Sequence, residues 1–407
     1  MMERQYKDSG IEWIGKIPEG WKMLPLAIFF AENSKPNSDL GSVNALQFKY
    51  GEIIQKPSNG KDLSEKDCEL LEKYTVVAPD DIVVNGLNLN YDLKSLRIAK
   101  VRERGIITSA YIVLRPRNGA NASYYNYYLK ALDFQKIFHG MGVGIRLTLS
   151  YNELRPMLLP VPPTVEQQRI ASYLDKKCGE IDALIALQEK MIAQLTEYKQ
   201  AVITEAVTKG LDPNVKLVPS GIEWIGDVPE GWKVTRVKNY GTIRSGEGIS
   251  LEEIKDEGKY PVWGGNGLMG YTGRYNEDKV SIVIGRVGAL CGNVRLLTSP
   301  TFVSDNALIF RLCEIVDAKY MLWLLIGANL NRLNISNAQP LITGTKVKNV
   351  FFAIPPKKEQ QLIASYLDTK CSEIDTLIAL KRQKIESLNA YKKSVIYEAV
   401  TGKTIIE

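Results

Sequence analysis

The chain has 407 residues, 45% hydrophobic and 24% charged, which is the composition of a folded protein with two or three domains and excludes wholesale disorder. Lysine and arginine exceed aspartate and glutamate by 52 to 46, and the formal net charge of +6 is too small to identify a polyanionic partner by itself. The five cysteines form no C-x-x-C pair and His139 is the single histidine, so we predict neither a metal site nor a disulfide framework.

The beginning of the chain gives no sign of a targeting segment. Residues 1–9 are polar and charged, which argues against a signal peptide. The most apolar run, residues 320–327, is too short for a bilayer span. We therefore expect a cytoplasmic protein.

The first element in chain order is a strap that occurs twice. Residues 9–21 read SGIEWIGKIPEGW and residues 220–232 read SGIEWIGDVPEGW, with only two differences between them. Alternating Gly, Pro and Trp follow no helical or strand period, so each strap is predicted to be a loop. Its tryptophans are expected to anchor it on a neighbouring helix or on the insert that follows.

An insert follows each strap, at about residues 27–155 and 238–349, and the two inserts do not resemble each other in sequence. Both contain short β-type runs, followed by an apolar helix predicted over 124–138 in the first insert and 318–333 in the second. We predict two versions of one α+β fold. A duplicated frame with divergent inserts indicates two different targets, although simple drift after an old duplication would also produce it.

The third element is a long helix that also occurs twice, at residues 166–208 and 359–402, each preceded by Pro-Pro. Apolar residues recur in steps of three and four and form a narrow seam. The seam residues are Ile181, Ile185, Ile192, Leu195, Tyr198 and Val202 in the first copy, and Ile374, Ile378, Ile385, Leu388, Tyr391 and Val395 in the second. Such a helix needs a partner in water, and the other copy is the obvious one. The alternative is that each helix lies on its own domain.

We therefore predict an α+β protein with a pseudo-twofold internal repeat. Two globular mixed α/β domains are joined by two long helices that form an antiparallel coiled coil.

Basic residues cluster in the inserts, often beside Gly, Asn or Tyr. Loops of this kind suit DNA, because glycines let backbone N–H groups approach phosphates while Arg, Asn and Gln read base edges. The candidate DNA-binding residues are Lys94, Arg97, Lys100, Arg102 and Arg146 in the first insert, and Arg244, Asn266, Tyr271, Arg274, Arg286 and Lys346 in the second. The alternative for each of them is an ordinary solvated surface residue.

The repeated strap and the PP…EQQ…IASYLD…EID helix start, at residues 162–182 and 355–375, resemble the specificity subunits of type I restriction-modification systems. In the second insert, YPVWGGNG (260–267), IGRVG (284–288) and SDN (304–306) are similar to the target-recognition pattern of that family. The resemblance covers nearly the whole chain, and the first insert matches less clearly.

The resemblance implies two target-recognition domains, each reading one half of a split site in double-stranded DNA. Their bounds are 1–165 and 220–358 with the straps included, the spacer helices are 166–208 and 359–402, the linker is 209–219 and the tail is 403–407. The helices are expected to fix the gap between half-sites and to bind two methyltransferase subunits.

The resemblance also implies the chemistry of the whole complex. The methyltransferase subunits methylate adenine with S-adenosylmethionine, and a motor-nuclease subunit driven by ATP and Mg²⁺ completes restriction. For this chain it implies no catalytic residue, no metal ligand and no bound cofactor.

Two other functions remain open at this point. A self-contained DNA methyltransferase or nuclease would act on DNA alone, but no adenine-methylation or nuclease motif stands out in the sequence. A coiled-coil adaptor without a nucleic-acid role would neutralise no phosphates, so its binding would depend little on salt.

Overall fold

A computed structural model describes residues 4–38, 40–49, 51–57, 65–145, 147–288, 290–334 and 340–406. The chain divides into two compact units. Unit 1 comprises Met1–Gln188 and Gln383–Glu407, and unit 2 comprises Glu189–Arg382. Each unit therefore holds one strap, one insert, the start of one long helix and the end of the other. None of the helices in the described ranges combines the length and the apolar character that a bilayer span requires.

The first half of the chain has the following strands: β1 (Tyr6–Asp8), β2 (Lys16–Pro18), β3 (Lys22–Pro25), β4 (Phe30–Glu32), β5 (Leu46–Lys49), β6 (Glu52–Gln55), β7 (Thr75–Val77), β8 (Ile82–Val84), β9 (Ile98–Lys100), β10 (Gly105–Ile107), β11 (Ile112–Pro116) and β12 (Leu158–Val161). Its helices are α1 (Leu26–Phe29), α2 (Glu65–Glu72), α3 (Ala122–Phe134), α4 (Tyr151–Leu154) and the long α5 (Thr164–Lys209), with a 3-10 turn at Ile137–Gly140.

The second half has these strands: β13 (Leu217–Pro219), β14 (Asp227–Pro229), β15 (Lys233–Arg236), β16 (Gly241–Ser245), β17 (Tyr260–Trp263), β18 (Leu268–Thr272), β19 (Ser281–Gly285), β20 (Val294–Leu297), β21 (Phe302–Val303), β22 (Ala307–Leu312) and β23 (Phe351–Ile354). Its helices are α6 (Ala318–Gly327), α7 (Gly344–Lys348) and the long α8 (Lys357–Val400), with 3-10 turns at Val237–Tyr240, Leu251–Glu253 and Leu330–Leu333.

Each insert contains a four-stranded antiparallel sheet, and the two sheets have the same connectivity. The strand order is β4-β11-β8-β9 in unit 1 and β16-β22-β19-β20 in unit 2. Strands β8 and β19 are buried along their whole length, as their runs of β-branched residues predict. The prediction of one α+β fold in two versions is confirmed.

The remaining strands form small sheets around these two. Their orders are β1-β2, β12-β3, β5-β6, β10-β7, β13-β14, β15-β23 and β18-β17-β21. All of their pairs are antiparallel except β17-β21. The β12-β3 and β15-β23 pairs join the strand before each long helix to the strand after each strap, so they close each insert at its base.

The apolar helix of each insert is shorter than its sequence pattern predicts. Helix α3 ends at Phe134 and helix α6 at Gly327, and each is followed by a 3-10 turn. The breaks lie at Lys136 (φ 61°) and Asn329 (φ 46°), which adopt the left-handed conformation that a helix cannot continue through. Neither residue is glycine, so the sequence gives no clear stop signal.

Both long helices contribute to the core of each unit. In unit 1, Ile170 and Leu174 near the start of α5 pack with Ile396 and Val400 near the end of α8. In unit 2 the roles exchange, and the end of α5, including Ile203 and Val207, packs with the start of α8 around Ile363 and Leu367. A start packed beside an end requires antiparallel helices, so the alternative of two helices each lying on its own domain is wrong.

A single seam runs along each long helix. Every residue from 182 to 201 and from 375 to 394 is exposed unless it lies on the seam. The seam positions are Cys178, Ile181, Ile185, Gln188, Ile192, Leu195, Lys199 and Val202 on α5, and Cys371, Ile374, Ile378, Lys381, Ile385, Leu388, Lys392 and Val395 on α8. Their steps of three and four are those of a coiled coil.

Two lysines replace the tyrosines that were expected in the seam. Tyr198 and Tyr391 are 51% and 50% exposed, so their assignment to the seam is wrong. The next residues occupy the position instead. In unit 2 Lys199 Nζ lies 2.6 Å from an Asp375 carboxylate oxygen, and in unit 1 Lys392 Nζ lies 2.6 Å from Asp182. Both lysines extend their aliphatic stems along the seam and keep the charge at its edge.

The straps anchor on the long helices through tryptophan, as predicted. In unit 1, Trp21 is 1% exposed and its Nε1 donates to Glu166 Oε2 at 2.9 Å. In unit 2, Trp232 makes the same contact with Glu359, and burial of that carboxyl raises its pKa above the ordinary value. The Tyr397 hydroxyl of α8 also donates to the Trp13 carbonyl at 2.9 Å.

We expect two alanine substitutions on α5 to differ in their effect on the free energy of unfolding, because one residue lies in the seam and the other does not. Ile181 lies in the seam and is 2% exposed, whereas Leu184 lies beside the seam and is 47% exposed. We expect Ile181→Ala to lower the free energy of unfolding by about 2–5 kcal/mol, because it removes buried methylene groups and leaves a cavity. The matched change Leu184→Ala is expected to cost no more than about 0.5 kcal/mol. Urea denaturation checks both, and equal losses would contradict the seam.

Candidate nucleic-acid interface

In unit 2, four loops that are distant in sequence meet beside the sheet. They are residues 245–247, 264–267, 285–288 and 304–306, which we call the glycine loop cluster. Backbone hydrogen bonds join them: Ser304 N–H donates to Trp263 O at 2.9 Å, and Arg286 N–H donates to Asn306 O at 3.1 Å. The three motifs that carry the family resemblance in this insert therefore come together in one place.

Two glycines make this meeting possible. A Cβ on Gly285 would lie 2.1 Å from the carbonyl oxygen of Gly265, and a Cβ on Gly246 would lie 2.2 Å from that of Ser304. Any side chain at either position would force the loops apart. Gly246 and Gly285 therefore allow close backbone packing between the loops, and the approach of phosphates to glycine N–H groups stays a prediction.

The cluster presents polar side chains of several kinds. Asn266, Asp305 and Asn306 are exposed. The Nη1 of the half-buried Arg286 donates to Ser245 Oγ at 3.3 Å, and its Nε has no acceptor among the described residues. Arg295 lies over the Trp263 ring at 5.0 Å. Asparagine and arginine side chains held by a rigid backbone are the groups that read adenine and guanine edges.

Two other predicted arginines of unit 2 are tied to carboxylates. Arg244 Nη2 donates to Asn276 O at 2.6 Å and lies 3.4 Å from Glu277, which is buried. Arg274 lies 3.0 Å from Glu253, whose pKa the Ser250 N–H and the Arg274 guanidinium hold below its usual value. Both arginines are partly exposed, but much of their charge is already balanced.

The remaining two candidates of unit 2 have structural partners. Tyr271 is half-buried in β18 and exchanges backbone hydrogen bonds with Lys255 at 2.8 and 2.9 Å. Lys346 donates through Nζ to Leu333 O at 3.0 Å. Lys346 therefore stabilises the end of the 3-10 turn at Leu330–Leu333.

In unit 1 the corresponding loop, residues 85–97, joins β8 to β9. Lys94 is exposed on this loop. The Ser95 hydroxyl and backbone N–H donate to Asp92 beside it and lower the pKa of that carboxyl to about 2. The loop also contacts Leu147 and Leu149, because Leu89 N–H donates to Leu147 O at 3.1 Å and Leu149 N–H to Gly86 O at 2.9 Å.

The other basic candidates of unit 1 are not equivalent to one another. Arg102 is 81% exposed and lies 3.9 Å from Glu52. Lys100 donates to Ser123 Oγ at 2.7 Å and lies 3.3 Å from Asp80, so it is partly committed to the fold. Arg146 lies outside the described residues.

Arg97 requires a correction. The sequence cluster placed it among the DNA-binding candidates, but it is 2% exposed and its guanidinium donates to backbone carbonyls of residues 85–92. A side chain enclosed in this way reaches neither a base nor a phosphate. The sequence gave no warning, since a basic residue in a polar loop is ordinarily solvated.

Two exposed apolar residues near this loop were missed by the sequence argument. Tyr91 is 77% exposed and Ile145 is 98% exposed, and the Asn90 amide donates to Ile145 O at 3.4 Å. The only signal was their setting, an aromatic residue within NLNYDLK and an isoleucine within GVGI. Within the described ranges, His, Cys, Asp and Glu form no group able to hold a metal ion.

The chain is similar to proteins of known family. The family described as "Type I restriction modification DNA specificity domain" matches residues 229–390. The type I restriction enzyme MjaVIII specificity subunit of Methanocaldococcus jannaschii is 22% identical over 95% of this chain and 94% of its own length. The StySPI specificity subunit of Salmonella potsdam is 23% identical over 96% and 90%.

One solved structure supports the fold. It is described as "Structural basis underlying complex assembly and conformational transition of the type I R-M system", and it superposes with a TM-score of 0.73 at 15% identity, covering 95% of this chain and 99% of the other. At this identity the likeness concerns the fold alone.

The packing of the glycine loop cluster predicts that two Gly→Ala changes have different effects on the free energy of unfolding. We expect Gly285→Ala to lower the free energy of unfolding of unit 2 by about 1–3 kcal/mol, because its Cβ would overlap the Gly265 carbonyl. The matched change Gly273→Ala meets no atom within 4 Å and is expected to be nearly neutral. Thermal unfolding of the two variants is the measurement, and a neutral Gly285→Ala would contradict the packing described.

Proposed function

We propose that this chain reads a bipartite DNA site, one half-site for each insert, as the specificity subunit of a type I restriction-modification system, the class of protein that its relatives are. The proposal takes residues 1–165 and 220–358 as the two target-recognition domains. It assigns no catalysis to this chain. The observation that carries it is a duplicated frame that holds two inserts of identical strand order and different sequence.

On this proposal, the loops beside each sheet contact the DNA. In unit 2 the glycine loop cluster offers Asn266, Asn306 and Arg286 for base edges, with Arg295 beside them. In unit 1 the loop 85–97 offers Lys94, and Arg102 supplies positive charge for phosphates. Phosphate contacts position the protein and base contacts specify the sequence, so both kinds of residue are required.

The partners follow from the family. We propose that two methyltransferase subunits bind this chain, that they use S-adenosylmethionine to methylate adenine, and that an ATP-driven motor-nuclease subunit with Mg²⁺ joins them. Such a complex would act on chromosomal DNA in the cytoplasm.

The docking surface proposed for the methyltransferase subunits is the outer face of the long helices. On α5, Leu184 and Leu187 are 47% and 49% exposed, and on α8, Leu377 and Leu380 are 47% and 56% exposed. Apolar residues at matching positions of both copies have no packing role in either core, and large exposed apolar surface commonly marks an interaction site.

The test of the proposed function is selection from randomised duplex DNA. The methyltransferase subunits with this chain are expected to select a split consensus of two short specific halves around a gap of fixed length. Without this chain no consensus is expected. A consensus that is the same in both samples would show that another subunit reads the sequence.

The long helices predict a change in the gap. Removing residues 185–191 from α5 together with 382–388 from α8 takes one heptad from each helix and keeps the seam on the same face. At about 1.5 Å per residue this shortens each helix by roughly 10 Å, which corresponds to about two to three base pairs. We expect the gap in the methylated motif to shorten by that amount with both half-sites unchanged.

The control for this deletion removes residues 185–191 alone. It offsets the Lys199–Asp375 pair relative to the Asp182–Lys392 pair, so we expect it to disrupt the seam and to abolish methylation. A gap of the original length in the double deletion would contradict the role of the helices as a spacer.

The docking surface predicts a loss of assembly without a loss of fold. We expect the double change Leu184→Asp and Leu187→Asp to weaken binding of a methyltransferase subunit by at least about tenfold, because it places charges in an apolar contact. Leu251→Asp, at an 84% exposed leucine of the second insert, is the matched control. Sedimentation of the assembled complex measures the effect, and equal binding by both variants would place the docking surface elsewhere.

A further inference from the structure

The loop 85–97 of unit 1 is organised around a buried arginine. Arg97 is 2% exposed, and its two terminal nitrogens donate to four backbone carbonyls of the same loop. Nη1 donates to Asn85 O at 3.1 Å and to Leu87 O at 2.8 Å, and Nη2 donates to Asn88 O at 3.5 Å and to Asp92 O at 2.7 Å.

A buried guanidinium is costly unless its donors are satisfied, so the loop and the side chain depend on each other. The four carbonyls face inward toward Arg97 and accept hydrogen bonds from its guanidinium. They leave the exposed side chains of Asn90, Tyr91 and Lys94 on the outside of the loop. The arginine thus fixes the course of the backbone that presents these side chains.

Contacts with Asp133 of α3 and with His139 hold Arg97 and its loop in position. The buried Asp133 of α3 accepts the Arg97 backbone N–H through Oδ2 at 2.5 Å. His139 Nε2 lies 3.2 Å from Asp92 O, one of the carbonyls that Arg97 also contacts. The loop is therefore connected to the helices of unit 1 at the Arg97 backbone and at the Asp92 carbonyl.

Close backbone contacts at glycine occur in the β8–β9 loop of unit 1 and in the β19–β20 loop of unit 2. A Cβ on Gly86 would lie 2.4 Å from Leu149 O. Residues 286–293 join β19 to β20, and this shorter loop is held by glycine contacts: a Cβ on Gly292 would lie 2.6 Å from Asn331 N. In the longer loop of unit 1, four backbone carbonyls also face Arg97 and accept from it. Arginine is suited to this because it supplies five N–H groups in a planar fork.

We propose that Arg97 is the positioning residue of the unit 1 recognition loop, and that it sets base selectivity at one half-site without touching DNA. This inference rests on the proposed function. Pre-organised loops bind with a smaller ordering cost and discriminate better between similar partners. Loss of the guanidinium should therefore relax selectivity at the half-site read by unit 1 and leave the other half-site unaffected.

The test uses the chain assembled with its methyltransferase subunits. Methylation rates are measured on duplexes that carry the cognate site or a single base change in either half. Arg97→Lys keeps the positive charge, but a single ammonium nitrogen cannot serve four carbonyls. We expect it to reduce discrimination at one half-site by about tenfold, the loss typical of one good base contact, and to leave discrimination at the other half-site unchanged.

Two further variants keep the proposal falsifiable. Arg115→Lys alters a fork-like arginine of the same unit that pairs with the buried Asp81 at 2.7 Å, away from the loop, and it is expected to change neither half-site. Tyr91→Ala changes a 77% exposed residue on the loop and cannot disturb the core, so it should affect the same half-site as Arg97→Lys.

The outcomes separate cleanly. One half-site relaxed by both Arg97→Lys and Tyr91→Ala, but not by Arg115→Lys, supports the inference. Both half-sites weakened equally by Arg97→Lys, with Tyr91→Ala silent, would reduce Arg97 to a stabilising residue and overturn it. If the wild-type complex showed no base preference that depends on this chain, the proposed function itself would fail before any variant was compared.

Discussion

Each long helix carries an apolar seam that is buried against the other long helix, and the rest of the structure depends on this contact. The start of one helix packs beside the end of the other in each unit, and the insert closes on both. Tyr124 of α3 donates to the carbonyl of Val400 in α8, and Tyr320 of α6 donates to that of Val207 in α5, so each insert is joined to a long helix by a buried hydroxyl. The antiparallel arrangement is a direct consequence, since parallel helices would bring two starts into one core. The two lysine–aspartate pairs, at equivalent positions of the two copies, favour this register over a shifted one.

The repeated parts of this frame were the parts most open to prediction. Helical period, flanking prolines and exact recurrence all pointed to two long paired helices, and the strap tryptophans lie where an anchor was expected. The seam itself was misread at one step, where Tyr198 was chosen over Lys199. An aromatic residue is the usual choice for an apolar position, but here the aspartate of the opposing helix makes lysine the better partner. A pattern of polarity within one helix does not contain that information, because the deciding group lies on the other helix.

The recognition loops were far less open to prediction. The assignment of DNA recognition to loops of the inserts stays a prediction, and sequence composition did not show how these loops are built. Backbones meet closely at glycine in both units, as at Gly86 against Leu149 and at Gly285 against Gly265, and unit 1 in addition encloses the guanidinium of Arg97. A count of basic residues does not distinguish Arg97 from Lys94, although Arg97 is buried inside the loop and Lys94 is exposed. The distinction depends on which way the intervening backbone turns, and positive φ at Asn88 is part of that turn. Such loop geometry is set by long-range contacts with Leu147, Leu149 and Asp133, which no local pattern reveals.

The central claim is that this chain supplies the sequence specificity of a multisubunit methyltransferase, with one insert for each half of the site. The most direct measurement is sequencing of adenine methylation across the genome of a host that expresses the methyltransferase subunit with this chain, compared with the same host lacking the chain. The account predicts a split motif with two specific halves that is methylated only when the chain is present. Methylation that is unchanged by its presence, or a single undivided motif, would contradict the account.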